Sequence, residues 1–222
     1  MEKRLIPLAV LAAFTALSAC GEKNPVTDPT VNPGDNTEPE TPSAVVTPSF
    51  AKGADISWVT EMENKGYGFY SSAGVPTECT ALMKDLGCNA IRLRVWVDPY
   101  KGWSGKADVL ALAAQAKEAA LALMIDFHYS DFFADPGRQE TPKAWEGLSL
   151  DALKQKVAEH TKDVLSALKA QGVTPKWVQV GNETTHGFLW PMGRAEENMQ
   201  QYAGLTDAGY QMTQLLAAPD SE

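Results

Sequence analysis

Cysteine and histidine are scarce in this chain, three of each among 222 residues, and the histidines are dispersed at positions 128, 160 and 186. A zinc site of the HExxH kind is therefore absent. No GxSxG marks a serine nucleophile elbow, no GxGxxG follows a strand, and no GxxxxGK would cradle phosphates. These gaps leave no signal for a metal or a cofactor, and none is expected. Basic residues are also few, 19 against 28 acidic ones, for a formal charge of −9. That balance argues against nucleic acid and against anionic lipid surfaces as partners. It suits a neutral substrate such as a polysaccharide.

Long apolar runs are lacking as well. The one at the amino terminus covers residues 5–17, too short to span a bilayer. It follows Lys3-Arg4 and runs into Leu17-Ser18-Ala19-Cys20, so residues 1–19 read as a secretory signal. The ending is similar to a bacterial lipobox, in which Cys20 is lipidated and becomes the first mature residue. The alternative is ordinary cleavage nearby, with Cys20 incidental. The expectation is a lipid-anchored protein of the bacterial cell envelope that meets membrane only through its anchor. Residues 20–49 hold Cys20 and then six of the chain's 14 prolines among Thr, Asn, Asp and Glu. Such a composition cannot bury enough apolar surface to offset its ordering entropy, so an extended tether is expected.

Residues 50–222 read as the folded part. A first strand over 50–57 precedes a loop-like stretch, 61–75. Thr77 then caps a helix that Gly87 closes, with Cys79, Leu82, Met83 and Leu86 on its core face. Cys79 and Cys88 are open to two readings, a disulfide or two buried thiols. Over 90–97, Ile91, Leu93, Val95 and Val97 face one way, with Arg92, Arg94 and Trp96 the other. Two arginines entering a sheet make sense where that face becomes a polar barrel mouth; the alternative is an edge strand with a solvated face. An Ala-rich helix (107–120) and a third strand (123–128) follow, the latter placing Asp126 and His128 on its polar side. The long loop 129–148 is of a length usually tied to function. Ser149 then caps a helix with an apolar stripe from Leu150 to Leu168. The last strand, 177–183, ends in Asn182-Glu183, before a loop with Trp190-Pro191 and a helix around 196–216.

Alternating strands and helices predict a parallel sheet with right-handed crossovers. Polar residues at every strand's carboxyl end favour a barrel, where catalytic groups occupy that rim. The folded part is about 170 residues against about 250 for a complete barrel, so the expectation is an α/β (β/α)8 TIM barrel of which only the first four β/α units are present.

Five stretches together resemble arabinogalactan endo-β-1,4-galactanases, glycoside hydrolase family 53. They are Lys52-Gly53-Ala54-Asp55-Ile56-Ser57, Arg92-Leu93-Arg94-Val95-Trp96-Val97, Asp126-Phe127-His128-Tyr129-Ser130-Asp131, Ala134-Asp135-Pro136-Gly137 and Val178-Gln179-Val180-Gly181-Asn182-Glu183. Leu189-Trp190-Pro191 also fits. The resemblance implies retaining endo-hydrolysis of β-1,4-galactan, the galactose side chain of pectic type I arabinogalactan. It implies Glu183 as general acid/base and Asn182 as the partner of a sugar 2-hydroxyl. Arg92 corresponds to an arginine beside the nucleophile, where it would hold that carboxylate ionised. His128 and Asp126 correspond to residues lining the sugar subsite. Asp55 either does likewise or is a structural group at the barrel floor. Arg94 is expected to be a buried bridge to Asp126 rather than a substrate ligand, and Trp190 either stacks on sugar or packs its loop. Phe133 stands where Trp is usual, and Ala120 where a helix-ending Gly is usual.

Retaining hydrolysis needs two carboxyls about 5–5.5 Å apart. The family's nucleophile is a Glu ending the seventh strand, which the resemblance does not place in these residues; alone they are expected to be inactive. The rival readings are a β-mannanase or β-glucanase of the same clan, and a non-catalytic glycan-binding lipoprotein.

Overall fold

Strand order, not strand count, separates a barrel from a doubly wound sheet. The computed structural model describes residues 50–217, so the expected signal (1–19) and the tether with Cys20 (20–49) lie outside the described residues. Its strands are β1 (Gly53–Asp55), β2 (Ala90–Val95), β3 (Ala122–Phe127) and β4 (Trp177–Val180). They form one parallel sheet in the order β1-β2-β3-β4. Each crossover steps the same way round, as in a barrel; a doubly wound sheet reverses direction part-way. β2 is an interior strand, which disposes of the edge-strand alternative.

The helices are α1 (Val59–Asn64), α2 (Cys79–Asp85), α3 (Lys106–Glu118), α4 (Leu150–Ala170) and α5 (Met199–Ala217). Alternation in the strands decides where they pack. Ile91, Leu93 and Val95 of β2 and Leu123, Ile125 and Phe127 of β3 are buried in a core with Val109, Leu112 and Ala116 of α3 and Leu153, Val157, Val164 and Leu168 of α4. Each large aliphatic side chain so buried contributes roughly 1.5–3 kcal/mol. The opposite sheet face carries the polar series in register: Asp55 beside Arg92, then Arg94 beside Asp126 beside Gln179. Apolar residues thus fasten the helical coat, and the other set of side chains points into the barrel.

Several local expectations hold. The Ser149 hydroxyl accepts from the Ala152 amide at 3.3 Å, capping α4. Gly87, at φ +85°, closes α2, and the Cys88 amide beyond it donates to the Met83 carbonyl. Of the two readings of Cys79 and Cys88 the disulfide is not formed: both are free thiols, Cys79 buried and Cys88 only partly so, and burial pushes the Cys79 thiol up to about 12.

Others are corrected. The stretch read as loop, 61–75, overlaps the end of α1, a six-residue helix with no side-chain cap. The cap of α2 is Glu78, whose carboxylate accepts from the amides of Thr80 and Ala81; the Thr77 hydroxyl is turned away to the Val75 carbonyl. Leu86 is exposed and not on the core face. Regular pairing of β4 stops at Val180, so Asn182 and Glu183 lie in the turn beyond it.

Candidate active site

The turn leaving β4 sets the site's geometry. The Gly181 amide still pairs with Phe127 of β3 at 2.9 Å, but its φ is +88°. A side chain there would also drive its Cβ to within 2.5 Å of Thr184. Glu183 follows in the left-handed region, at φ 50° and ψ 45°, a conformation disfavoured for a residue with a Cβ. The two reversals turn consecutive side chains apart. Asn182 is 3% exposed, whereas Glu183 is exposed at the strand's carboxyl end.

Asn182 is fixed from both ends of its amide. Its Nδ2 donates to the Ala134 carbonyl at 2.8 Å, and its Oδ1 accepts from Arg92 Nη2 at 2.7 Å. Arg92 also reaches two carboxylates, Nη1 to Asp55 Oδ2 at 2.8 Å and Nη2 to Asp126 Oδ2. Asp55 in turn accepts from the amide and hydroxyl of Ser57 through Oδ1. It is thus held at the foot of the site, tying β1 to β2.

His128 and Asp126 are both buried beneath the loop 129–148. His128 Nδ1 faces two donors, the Ala134 amide at 3.0 Å and Trp96 Nε1 at 3.3 Å, so it is the unprotonated ring nitrogen. Its Nε2 lies 2.9 Å from Asp126 Oδ2. Arg92, one layer lower on β2, joins Asp126 to Asn182 in the turn after β4.

Arg94 does not bridge to Asp126; that expectation is corrected. Its Nε donates to Ser104 at 3.1 Å, and its guanidinium lies over Trp58 at 3.8 Å, Trp96 at 4.7 Å and Phe133 at 5.6 Å. Burial pulls its pKa down to about 10, still charged at neutral pH, and aromatic faces take the place of a carboxylate. Phe133 contributes one of those faces and meets His128 edge-on at 5.1 Å. Phe132, half exposed, stacks on Trp96 instead. Trp190 packs its loop. Its Nε1 donates to the His186 carbonyl at 2.9 Å, and the Arg194 guanidinium covers a ring face at 4.2 Å.

Asp55, Arg92, Asp126, His128 and Asn182 therefore form one bonded network beneath Glu183, with Trp190 outside it. Sequence reasoning missed Gln139, Gln179 and Ser57. Gln139 Nε2 donates to the Asn182 carbonyl at 2.7 Å, and Gln179 Nε2 to the Gly181 carbonyl at 3.0 Å. The inward parity of Gln179 on β4 was the one signal available for these residues. Among the described residues no group of His, Cys, Asp or Glu could hold a metal ion, and no helix is long and apolar enough to cross a membrane.

A parallel sheet winding in one direction, with an Asn-Glu turn at the end of its fourth strand, defines the class: the β/α units of a TIM-barrel hydrolase. Two solved structures share the architecture. One, reported for two fungal β-1,4-galactanases, has 35% identity and a TM-score of 0.70, covering 73% of this chain and 48% of that one. The other, the GH53 catalytic domain of Ignisphaera aggregans, has 35% identity and a TM-score of 0.72, covering 78% and 50%. The endo-beta-1,4-galactanase of Bacillus subtilis is 42% identical over 147 residues, 63% of this chain and 34% of that protein. Residues 51–219 match the profile of Glycosyl hydrolase family 53, and the chain belongs to that family. It spans half or less of the length of the curated relatives it matches.

Proposed function

We propose that this chain is the acid/base half of an endo-β-1,4-galactanase, which hydrolyses the galactose side chains of type I arabinogalactan with retention. The observation that carries this reading is the β4 turn. An exposed carboxylate stands at a barrel strand's end beside an Asn whose amide is locked by Arg92 and Ala134, in a chain whose relatives are named galactanases. Glu183 protonates the glycosidic oxygen as the sugar leaves, then takes a proton from the water that releases the galactosyl unit. The Asn182 amide is oriented from below, ready to meet the sugar hydroxyl next to the reacting carbon.

The attacking carboxyl must lie about 5–5.5 Å from Glu183. The second carboxyl belongs to strands outside the described residues, and 50–222 in isolation is inactive on this reading. We infer further that Cys20 is lipidated and tethers the enzyme to the bacterial envelope. The support is the basic start, the short apolar run and Leu17-Ser18-Ala19-Cys20.

The decisive experiment replaces Glu183 by Gln in the full-length enzyme. Cleavage of unactivated galactan falls by roughly 10²–10⁴-fold. Aryl galactosides with good leaving groups still glycosylate the enzyme and then stall, because the base for deglycosylation is gone. Equal slowing of the first step for both substrates would assign Glu183 another role.

A further inference from the structure

We propose that Gln139, in the loop after β3, is a positioning residue for Glu183; this rests on the acid/base reading above. Gln139 lies in a polar run between exposed Arg138 and Glu140, yet its own side chain is 1% exposed. Its Nε2 donates to the Asn182 carbonyl at 2.7 Å and reaches the Glu183 carbonyl at 3.4 Å. Only the NH₂ end of an amide can donate to carbonyls, so the orientation of the group is fixed by chemistry.

Those two carbonyls belong to the peptides on either side of the Glu183 α-carbon. Holding both pins φ and ψ of one residue together, and that residue is the one in the left-handed region. A conformation disfavoured by its own Cβ persists only where its surroundings impose it. Gln139 is itself anchored. Its carbonyl accepts from the Trp190 amide at 2.8 Å, and Thr141 two residues on donates to the Trp190 carbonyl at 2.9 Å. Ala134, earlier in the same loop, takes the Asn182 amide. The loop and the β4 turn are thus laced together, and Gln139 is the lace that reaches Glu183. Buried behind the backbone, it acts through Glu183 and not on the sugar.

The test uses the full-length enzyme with Gln139→Met, which keeps length but removes the donors, and Gln139→Glu, which keeps shape and places an oxygen against the carbonyls. The expected result is a kcat on β-1,4-galactan lower by roughly 10–100-fold, the scale of an ångström-level misplacement. KM changes by less than kcat does, because Gln139 acts through the Asn182-Glu183 turn from behind and is not itself on the sugar. Glycosylation by a dinitrophenyl galactobioside, which needs no proton donor, runs near the wild-type rate. Added to Glu183→Gln, the Gln139 change costs little more, since both act through one carboxyl. Wild-type kcat in both variants, equal slowing on both substrates, or full additivity with Glu183→Gln overturns the proposal. So does loss of cooperative melting in both variants, which would assign Gln139 to folding alone. A normal Gln139 variant beside a crippled Glu183→Gln sinks only this inference; Glu183→Gln at full rate sinks the reading beneath it.

Discussion

Arg92 and Asn182 meet at 2.7 Å although they belong to β2 and to the turn after β4, which are not neighbours in the sheet. The guanidinium crosses over β3 to do so, and takes the buried Asp126 carboxylate on the way. With Asp55 on its other side, one side chain satisfies acceptors on β1, β3 and the β4 turn. Such a fork suits arginine, with its five donors in a rigid plane, and not lysine.

Arg92→Met is accordingly expected to destabilise the full-length protein by roughly 3–5 kcal/mol, because it strands the wholly buried carboxylate of Asp126 without its cation. Arg92→Lys keeps the charge but cannot reach three acceptors, and should recover only part of that. Denaturant unfolding of the two variants checks the order; equal stability of Lys and wild type would show that charge alone matters.

Ala120, after α3, holds φ at +52°. A Cβ in that region costs about 1–2 kcal/mol, while glycine gives back part of the gain through the unfolded chain's freedom. Ala120→Gly should raise stability by about 1 kcal/mol and leave activity unchanged. A lower melting temperature would contradict this.

His160 on α4 sits edge-on among Phe127, Tyr129 and Trp145, with Nε2 buried and unbonded among the described residues. Burial pushes its pKa down to about 4; Asp163 opposes the shift and Lys106 adds to it. Above the ordinary value of 6.5 the ring is neutral in both folded and unfolded chains and contributes no pH dependence. As pH falls from 6.5 to about 4, the unfolded chain takes a proton that the fold refuses, and stability drops by on the order of 2–3 kcal/mol. His160→Phe should flatten the stability profile across that window. An unchanged slope would mean that carboxylates account for all of the acid sensitivity.

Cys20→Ala should release the protein from membranes without altering its melting, since it removes acyl chains that contribute about 0.8 kcal/mol per buried methylene. Radiolabelled palmitate incorporation with membrane fractionation reads this directly. Equal membrane recovery of both proteins would refute the anchor.

What the sequence disclosed and what it hid follow from the same physics. β2 and β3 were legible because strict alternation sorts Ile91, Leu93 and Val95 from Arg92 and Arg94 whatever the fold. α4 was legible because a long stripe and a Ser cap agree. α1 was not, since six residues give less than two turns of periodicity and Trp58 offers no cap. Glu78 lay outside the usual capping set, so Thr77 drew the assignment. Arg94 was misassigned for a different reason. Arg94 is the register partner of Asp126, but a long side chain need not end where its α-carbon begins. Arg92 from the layer below reaches the carboxylate, while Arg94 turns into the aromatic faces. Gln139 was invisible because nothing in an Arg-Gln-Glu run marks the middle residue as buried.

The β1-β2-β3-β4 order carries a consequence for how the chain is assembled. From β2 onward each described strand pairs with the one immediately preceding it, so each of these pairings closes a loop no longer than the helices and connections between two neighbours. Among β1 to β4 no strand waits for a distant partner, and each newly delivered unit finds a finished edge to add to. Vectorial assembly, from the amino end onward in the sequence in which strands emerge, is therefore built into the topology, and the β4 turn that presents Glu183 is the last part of this sheet to be put in place.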